Sequence, residues 1–290
     1  MKIFEAFKSG ILRSLKVWKG VLIVWFFSLL MISLFAIPMK GALKAGFRKS
    51  MITEKLMEGM NGEVIGDLLS TLKGLSSYFF SGVLFLIFLS ILMNAFLGGG
   101  MFSVLRGNSG RFSSAEFFMA SARHFWSFLV ITLIISVSIF LLGLLVIGIP
   151  VGIVAHADSG QETRFFMTVV ITGSVFLLIS IFFFLVADYA RACKVANEGT
   201  GSFRALGFGF SQTFRTFLSS YPLMIILLIV QLLYGWLVLK ILTGMKPVTG
   251  SGVFLLFFLS QFLFFIKLLL KAWRYGSVTS LMELNSEKPG

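Results

Sequence analysis

Six stretches of the chain carry apolar residues on every side of a helix: 21–38, 78–97, 126–149, 165–187, 218–239 and 253–270. Each is close to the ~20 residues that an α-helix needs to cross ~30 Å of hydrocarbon at ~1.5 Å per residue. The pattern predicts an all-α polytopic membrane protein with six transmembrane helices. The first stretch is 18 residues long, beyond the roughly 7–15 of a cleavable signal sequence, and reads as a retained span.

The polar positions between the spans are patterned too. Ahead of the first, third and fifth spans stand FEAFKSGILRSLKVW (4–18), FSSAEFFMASARHFW (112–126) and FRALGFGFSQTFRTF (203–217). Each begins with Phe and ends with an aromatic residue fourteen positions later, nearly four helical turns, so both rings fall close to one face. The same register aligns Ile11, Met119 and Phe210, and it aligns Gly110 with Gly201 in the Gly-rich turns before the second and third copies. Each segment is expected to be an interfacial helix, an elbow that lies along the membrane before the chain turns and spans. His124 and Trp126 are expected at headgroup level. The elbows divide the chain into three elbow-plus-hairpin repeats, 1–108, 109–200 and 201–290, within a single transmembrane domain, 1–290.

The segment 39–77 between the first two spans is also periodic. Met39, Leu43, Phe47 and Met51 recur every four residues, as do Val64, Leu68 and Leu72 with Ile65 and Leu69 beside them. Two short amphipathic helices are expected there, on the membrane surface or over the bundle, the second able to run on into span two.

Composition strengthens this picture. The chain is 57% hydrophobic and 13% charged, with 35 Phe. About 25% charge is usual in soluble proteins, so the polar surface is too small to clothe a water-facing body. The single cysteine, Cys193, excludes an internal disulfide. The net charge of +13 reads as topology and attraction to anionic headgroups rather than nucleic-acid binding. With the N-terminus in the cytoplasm, inner segments hold 16 Lys and Arg and outer segments nine, while acidic residues divide six and six. The bias places both termini on the cytoplasmic side of a bacterial inner membrane.

Candidate chemistry is sparse. No Asp or Glu occurs at mid-depth in a predicted span, and the chain has no GxSxG, HExxH or phosphate-binding loop. Its two histidines, His124 and His156, fall at opposite membrane faces. Neither an enzyme, nor a metal or other cofactor, nor a proton-coupled transporter is expected. The elbow cations Lys8, Arg13, Lys16, Arg111, Arg123, Arg204 and Arg215 are candidate lipid-headgroup contacts. Lys267 shares a helical face with Lys271 and Arg274. It either snorkels toward headgroups or pairs with Asp188 at the same level. Asn94, Gln231 and Gln261 either bond between helices or line a polar cavity. In GLLVIGIPVGIVAHAD, Pro150 and its glycines should kink or end the third span; broken helices also mark substrate sites in transporters.

Six spans, elbows and Gly-rich inner turns together resemble a broad group of bacterial inner-membrane proteins that includes the membrane domain attached to some glycerophosphodiester phosphodiesterases. The resemblance implies a six-helix membrane domain concerned with envelope or lipid homeostasis. The soluble phosphodiesterase domain is absent from this sequence, so that activity does not carry over. The expected role is non-enzymatic: membrane organisation, lipid handling, or partnership with another envelope protein, with anionic lipids as the first partners. The alternative is an uncoupled transporter or channel for a small or hydrophobic substrate.

Overall fold

A computed structural model describes residues 2–47, 62–107, 112–157, 162–245 and 249–286. In chain order the helices are α1 (Lys2–Lys16), α2 (Trp18–Phe47), α3 (Gly62–Arg106), α4 (Ser114–Gly143), α5 (Ile149–Ala157), α6 (Glu162–Ala196), α7 (Ser202–Arg215), α8 (Phe217–Gly244) and α9 (Gly250–Ser286), with a π-helical segment, Leu144–Gly148, between α4 and α5. No strand occurs among the described residues. Six helical stretches are long and apolar enough to cross a membrane, in agreement with the six apolar runs. Their surfaces are those of a lipid-facing body: Leu232, Phe80 and Phe254 are each more than 60% exposed, a display of apolar area that water does not tolerate. Span hydroxyls return to their own backbone, as Ser138 Oγ does to the Ile134 carbonyl at 2.8 Å and Thr132 Oγ1 to the Phe128 carbonyl at 2.7 Å, so they need no partner from lipid.

Several expectations are corrected. Of the two helical signals in 39–77, the first does not form a separate helix, and the second runs on into span two as the sequence allowed. Met39, Leu43 and Phe47 continue α2 past Pro38, and Val64 to Leu72 belong to α3, which runs unbroken into the second span; Met51 lies outside the described residues. The third elbow turns as expected, but the second does not: α4 runs from Ser114 to Gly143 with no break at Trp126. Pro150 does not end the helix, which runs on to Ala157. The π turn immediately before it changes the hydrogen-bond register where the proline ring would otherwise meet a carbonyl.

Two elbows are discrete helices, and their breaks match. At Val17 the amide donates to the Arg13 carbonyl at 3.1 Å, and the Val17 carbonyl accepts from Gly20 at 2.8 Å and Val21 at 3.1 Å. At Thr216 the amide donates to Gln212 at 2.9 Å, and its carbonyl accepts from Ser219 at 3.0 Å and Ser220 at 2.8 Å. Each break stands one residue before the aromatic that closes the elbow pattern, Trp18 or Phe217.

The described residues divide into two compact units, 1–23 with 95–290, and 24–94. The second unit holds the apolar body of the first span and the N-terminal part of the second. In the first unit, α6 is 35 residues long and α9 37, or about 50–55 Å at 1.5 Å per residue. Both exceed a ~30 Å hydrocarbon core, and both carry buried residues in their C-terminal turns. The core lies at these ends. Ile131, Ile135, Val186, Ala190, Ala205 and Leu206 join α4, α6 and α7, while Ala6, Leu223, Leu227 and Leu281 join α1, α8 and α9.

Candidate functional site

The polar chemistry of the first unit gathers where elbows meet span ends. Small residues permit the approach. On α1, Ala6, Gly10 and Ser14 are buried, a stripe spaced by four residues that lies on one helical face. A Cβ at Gly10 would stand 2.7 Å from the backbone nitrogen of Ser277 on α9. On α7 the buried stripe is Ala205, Gly209 and Thr213, and a Cβ at Gly209 would stand 2.5 Å from the Val186 carbonyl of α6. The elbow part of α4 reverses the roles: the glycines are on the span, and a Cβ at Gly100 would stand 2.8 Å from the Phe117 carbonyl. The docked elbows are then fastened by polar contacts. Trp273 Nε1 donates to the Phe7 carbonyl at 3.1 Å. Tyr189 and Ser220 share a hydrogen bond at 2.6 Å, and Ser220 and Thr216 another at 2.7 Å. Tyr189→Phe should cost about 1–2 kcal/mol of stability, because Tyr189 and Ser220 are both buried and the change removes one partner of a buried hydrogen bond; thermal melting in detergent measures it.

A charged cluster lies between α4, α6 and α9. The carboxylate of Asp188 is buried, with its oxygens 3.4 Å from Arg191 Nη1 and 3.1 Å from Arg274 Nε. The Arg274 contact is close in distance without hydrogen-bond alignment at that nitrogen, so it is an ionic contact. Arg191 also donates to Thr132 Oγ1 at 3.0 Å, and the Arg274 guanidinium stands over the rings of Phe184 and Tyr275, 5.8 and 5.1 Å from their centroids. Of the two readings of Lys267, the pair with Asp188 is not formed, because Arg274 takes that place. Lys267 is exposed on α9, seven residues back along the same face, about 10 Å at 1.5 Å per residue.

The elbow cations fall into two groups. Arg13 Nη2 pairs with Glu283 at 2.6 Å, and Arg123 Nη1 with Glu198 at 2.7 Å, so neither is given wholly to headgroups. The second pair is half-exposed and is worth little on its own. Lys8, Lys16, Arg204 and Arg215 are exposed, beside exposed Phe4, Phe203 and Phe214. Arg111 lies outside the described residues. Trp126 is exposed, but His124 is buried at 3% exposure against Gly99 of α3, inside the elbow contact. Gln231 Nε2 donates to the Leu270 carbonyl of α9 at 3.4 Å, which is helix-to-helix bonding. Gln261 is half-buried, and Asn94, in the 24–94 unit, is exposed.

One site was not anticipated from the sequence: a cavity of about 660 Å³ between the outer face of α1, the end of α3 and the start of α4. Lys8, Arg13 and Lys16 stand on its wall with Ser9, Ser103 and Ser113; Glu5 and Glu116 face it as well. The α1 members were visible as cations at helical spacing, but nothing local to them indicates that Ser103 and Ser113 close the other side. Compared with known proteins, the chain matches no family model, no curated protein and no solved structure.

Proposed function

We propose that this is a non-enzymatic multi-pass membrane protein whose elbow helices hold the headgroup layer of one leaflet, in membrane organisation, lipid handling or partnership with another envelope protein. The carrying observation is the pair of amphipathic helices α1 and α7. Each is docked by small residues on one side and presents Phe4 with Lys8 and Lys16, or Phe203 and Phe214 with Arg204 and Arg215, on the other. Apolar rings dipping toward acyl chains beside cations suit an anionic interface. That interface is the cytoplasmic face of a bacterial inner membrane, by the distribution of Lys and Arg. The role agrees with the resemblance to six-span envelope proteins.

The repeat belongs to the same proposal. Elbow α7 rests on the hairpin ends of α4 and α6, and α1 rests on those of α8 and α9. Phe112 and Met101 meet at Gly20, where a Cβ would lie 3.3 and 3.5 Å from them. Each elbow thus sits on the ends of the hairpin before it, with the first served by the last, as three equivalent units in a closed cycle require. The non-enzymatic reading is supported by the engagement of two buried groups: Asp188 is held between arginines, and Tyr189 by Ser220.

Lys8, Lys16, Arg204 and Arg215 changed together to Gln should lower the enrichment of anionic lipid around the full-length protein in mixed-lipid nanodiscs, at about 1 kcal/mol for each cation near the surface. Unchanged enrichment by lipid mass spectrometry would overturn the elbow reading. The π segment ahead of Pro150 favours a second reading, an uncoupled transporter or channel, since such segments recur at functional sites. In that case Gln231→Leu with Gln261→Leu abolishes solute flux in proteoliposomes. If the two amides only join helices, the changes cost about 0.6 kcal/mol each in melting.

A further inference from the structure

We infer that the cavity beside α1 is a site for a phosphodiester group, the headgroup phosphate of a membrane phospholipid. The inference rests on the elbow reading and adds to it one discrete, stoichiometric site.

The wall comes from a single helix face. Each of positions 5, 8, 9, 12, 13 and 16 of α1 lies three or four residues from another of the set, the spacing that gathers side chains on one helix face. From that face Lys8, Arg13 and Lys16 supply cations and Ser9 a hydroxyl, and across the cavity Ser103 and Ser113 supply two more hydroxyls. Arg13 is committed on one side only. Its Nη2 holds Glu283, while its Nη1 is buried with no hydrogen-bond partner. A guanidinium half-used in this way is suited to an oxygen-rich anion. Ser113 caps the N-terminus of α4, accepting from the Glu116 amide at 3.4 Å. The start of a 30-residue helix therefore borders the cavity through Ser113 and Glu116, at its positive dipole end.

The wall also selects. Glu5 and Glu116 face the same space, and their charge opposes a second negative charge on the ligand. A singly charged diester is favoured over a doubly charged monoester. Leu12, Val17, Leu105 and Phe112 complete the lining, apolar surface of the kind that the glycerol backbone and first acyl carbons of a lipid would cover. The volume, about 660 Å³, is in the usual range of small-molecule sites, roughly 300–1,000 Å³. On the elbow reading the cavity opens at headgroup depth, where such phosphates are abundant.

The test compares two exposed cation pairs in the full-length protein. K8Q/K16Q touches the cavity, and R204Q/R215Q lies on the other elbow. Protein is extracted from phosphatidylglycerol–phosphatidylcholine nanodiscs and phospholipid retained per chain is counted by native mass spectrometry. One retained phospholipid is expected, reduced at least about tenfold by K8Q/K16Q, within about twofold of wild type in R204Q/R215Q, and restored by K8R/K16R. In a parallel arm inorganic phosphate is titrated into delipidated protein. Phosphate binding that is sensitive to K8Q/K16Q, without lipid retention, keeps the site and assigns it to a soluble phosphate compound. Equal losses in both variants overturn the cavity site and leave the elbow reading standing. Retention and phosphate binding both indifferent to K8Q/K16Q overturn the cavity site outright.

Discussion

Asp188→Asn is expected to be among the most damaging single changes in the chain, at about 3–5 kcal/mol, the usual consequence of leaving a buried charge without its partner. Asp188 is 1% exposed at its side chain, and the guanidinium groups it faces, Arg191 and Arg274, are 13% and 12% exposed. Neutralising the carboxylate leaves two cations together in a space that water barely reaches. Their mutual repulsion adds to the desolvation each already bears. The loss should be read from reversible unfolding in mixed detergent–SDS micelles. Asp188→Leu combined with Arg274→Met should recover much of it, because removing both charges restores a neutral contact, and Arg191 keeps Thr132 as its acceptor. Lys267→Met should change stability by less than about 0.5 kcal/mol, as exposed substitutions do. A larger loss for Lys267→Met than for Asp188→Asn would reverse the assignment of partners.

The second large effect contrasts two glycines on one helix. Gly209→Leu should destabilise the protein by about 3 kcal/mol or more, because the new Cβ would stand 2.5 Å from the Val186 carbonyl and 3.2 Å from the Ala190 Cβ. Backbone cannot swing away as a side-chain tip can, so α7 must lift from α6. Gly207→Leu, two residues earlier, meets nothing within 4 Å. It should stabilise α7 by about 0.5–1 kcal/mol, since a mid-helix glycine gives way to a better helix former. Melting shifts of opposite sign are expected, and shifts of equal sign and size would mean that α7 does not dock through Gly209. Gly10→Leu should follow Gly209→Leu, since its Cβ would stand 2.9 Å from the Ser277 Cα.

The spans and the elbows were legible because their information is local. An apolar run of about 20 residues identifies a span without reference to any other part of the chain. The paired aromatics of 4–18 and 203–217 located α1 and α7 and came within one residue of their breaks at Val17 and Thr216. The same pattern in 112–126 predicted a break that does not occur. A ring face marks which side of a helix meets lipid, whereas a break depends on whether the next turn keeps its hydrogen bonds, and in α4 it does. The signals in 39–77 were helical as read, and the second runs on into span two as the sequence allowed; the first continues the first span past Pro38, because amphipathic spacing says nothing of whether a helix continues from its neighbour.

By itself, then, the sequence determined an all-α chain with six helices long and apolar enough to cross a membrane, and it located three basic-aromatic segments of which two are discrete helices, since composition and 3.6-residue periodicity are properties of one helix at a time. Only the tertiary structure decided that Asp188 faces Arg274 rather than Lys267, that Gly10 and Gly209 are points of helix contact while Gly207 is open, that His124 is buried, and that Ser103 and Ser113 join α1 around one cavity. Each of these depends on the depth and rotation at which two helices cross, and a shift of one turn, about 5.4 Å, exchanges one partner for another without altering either helix's own pattern.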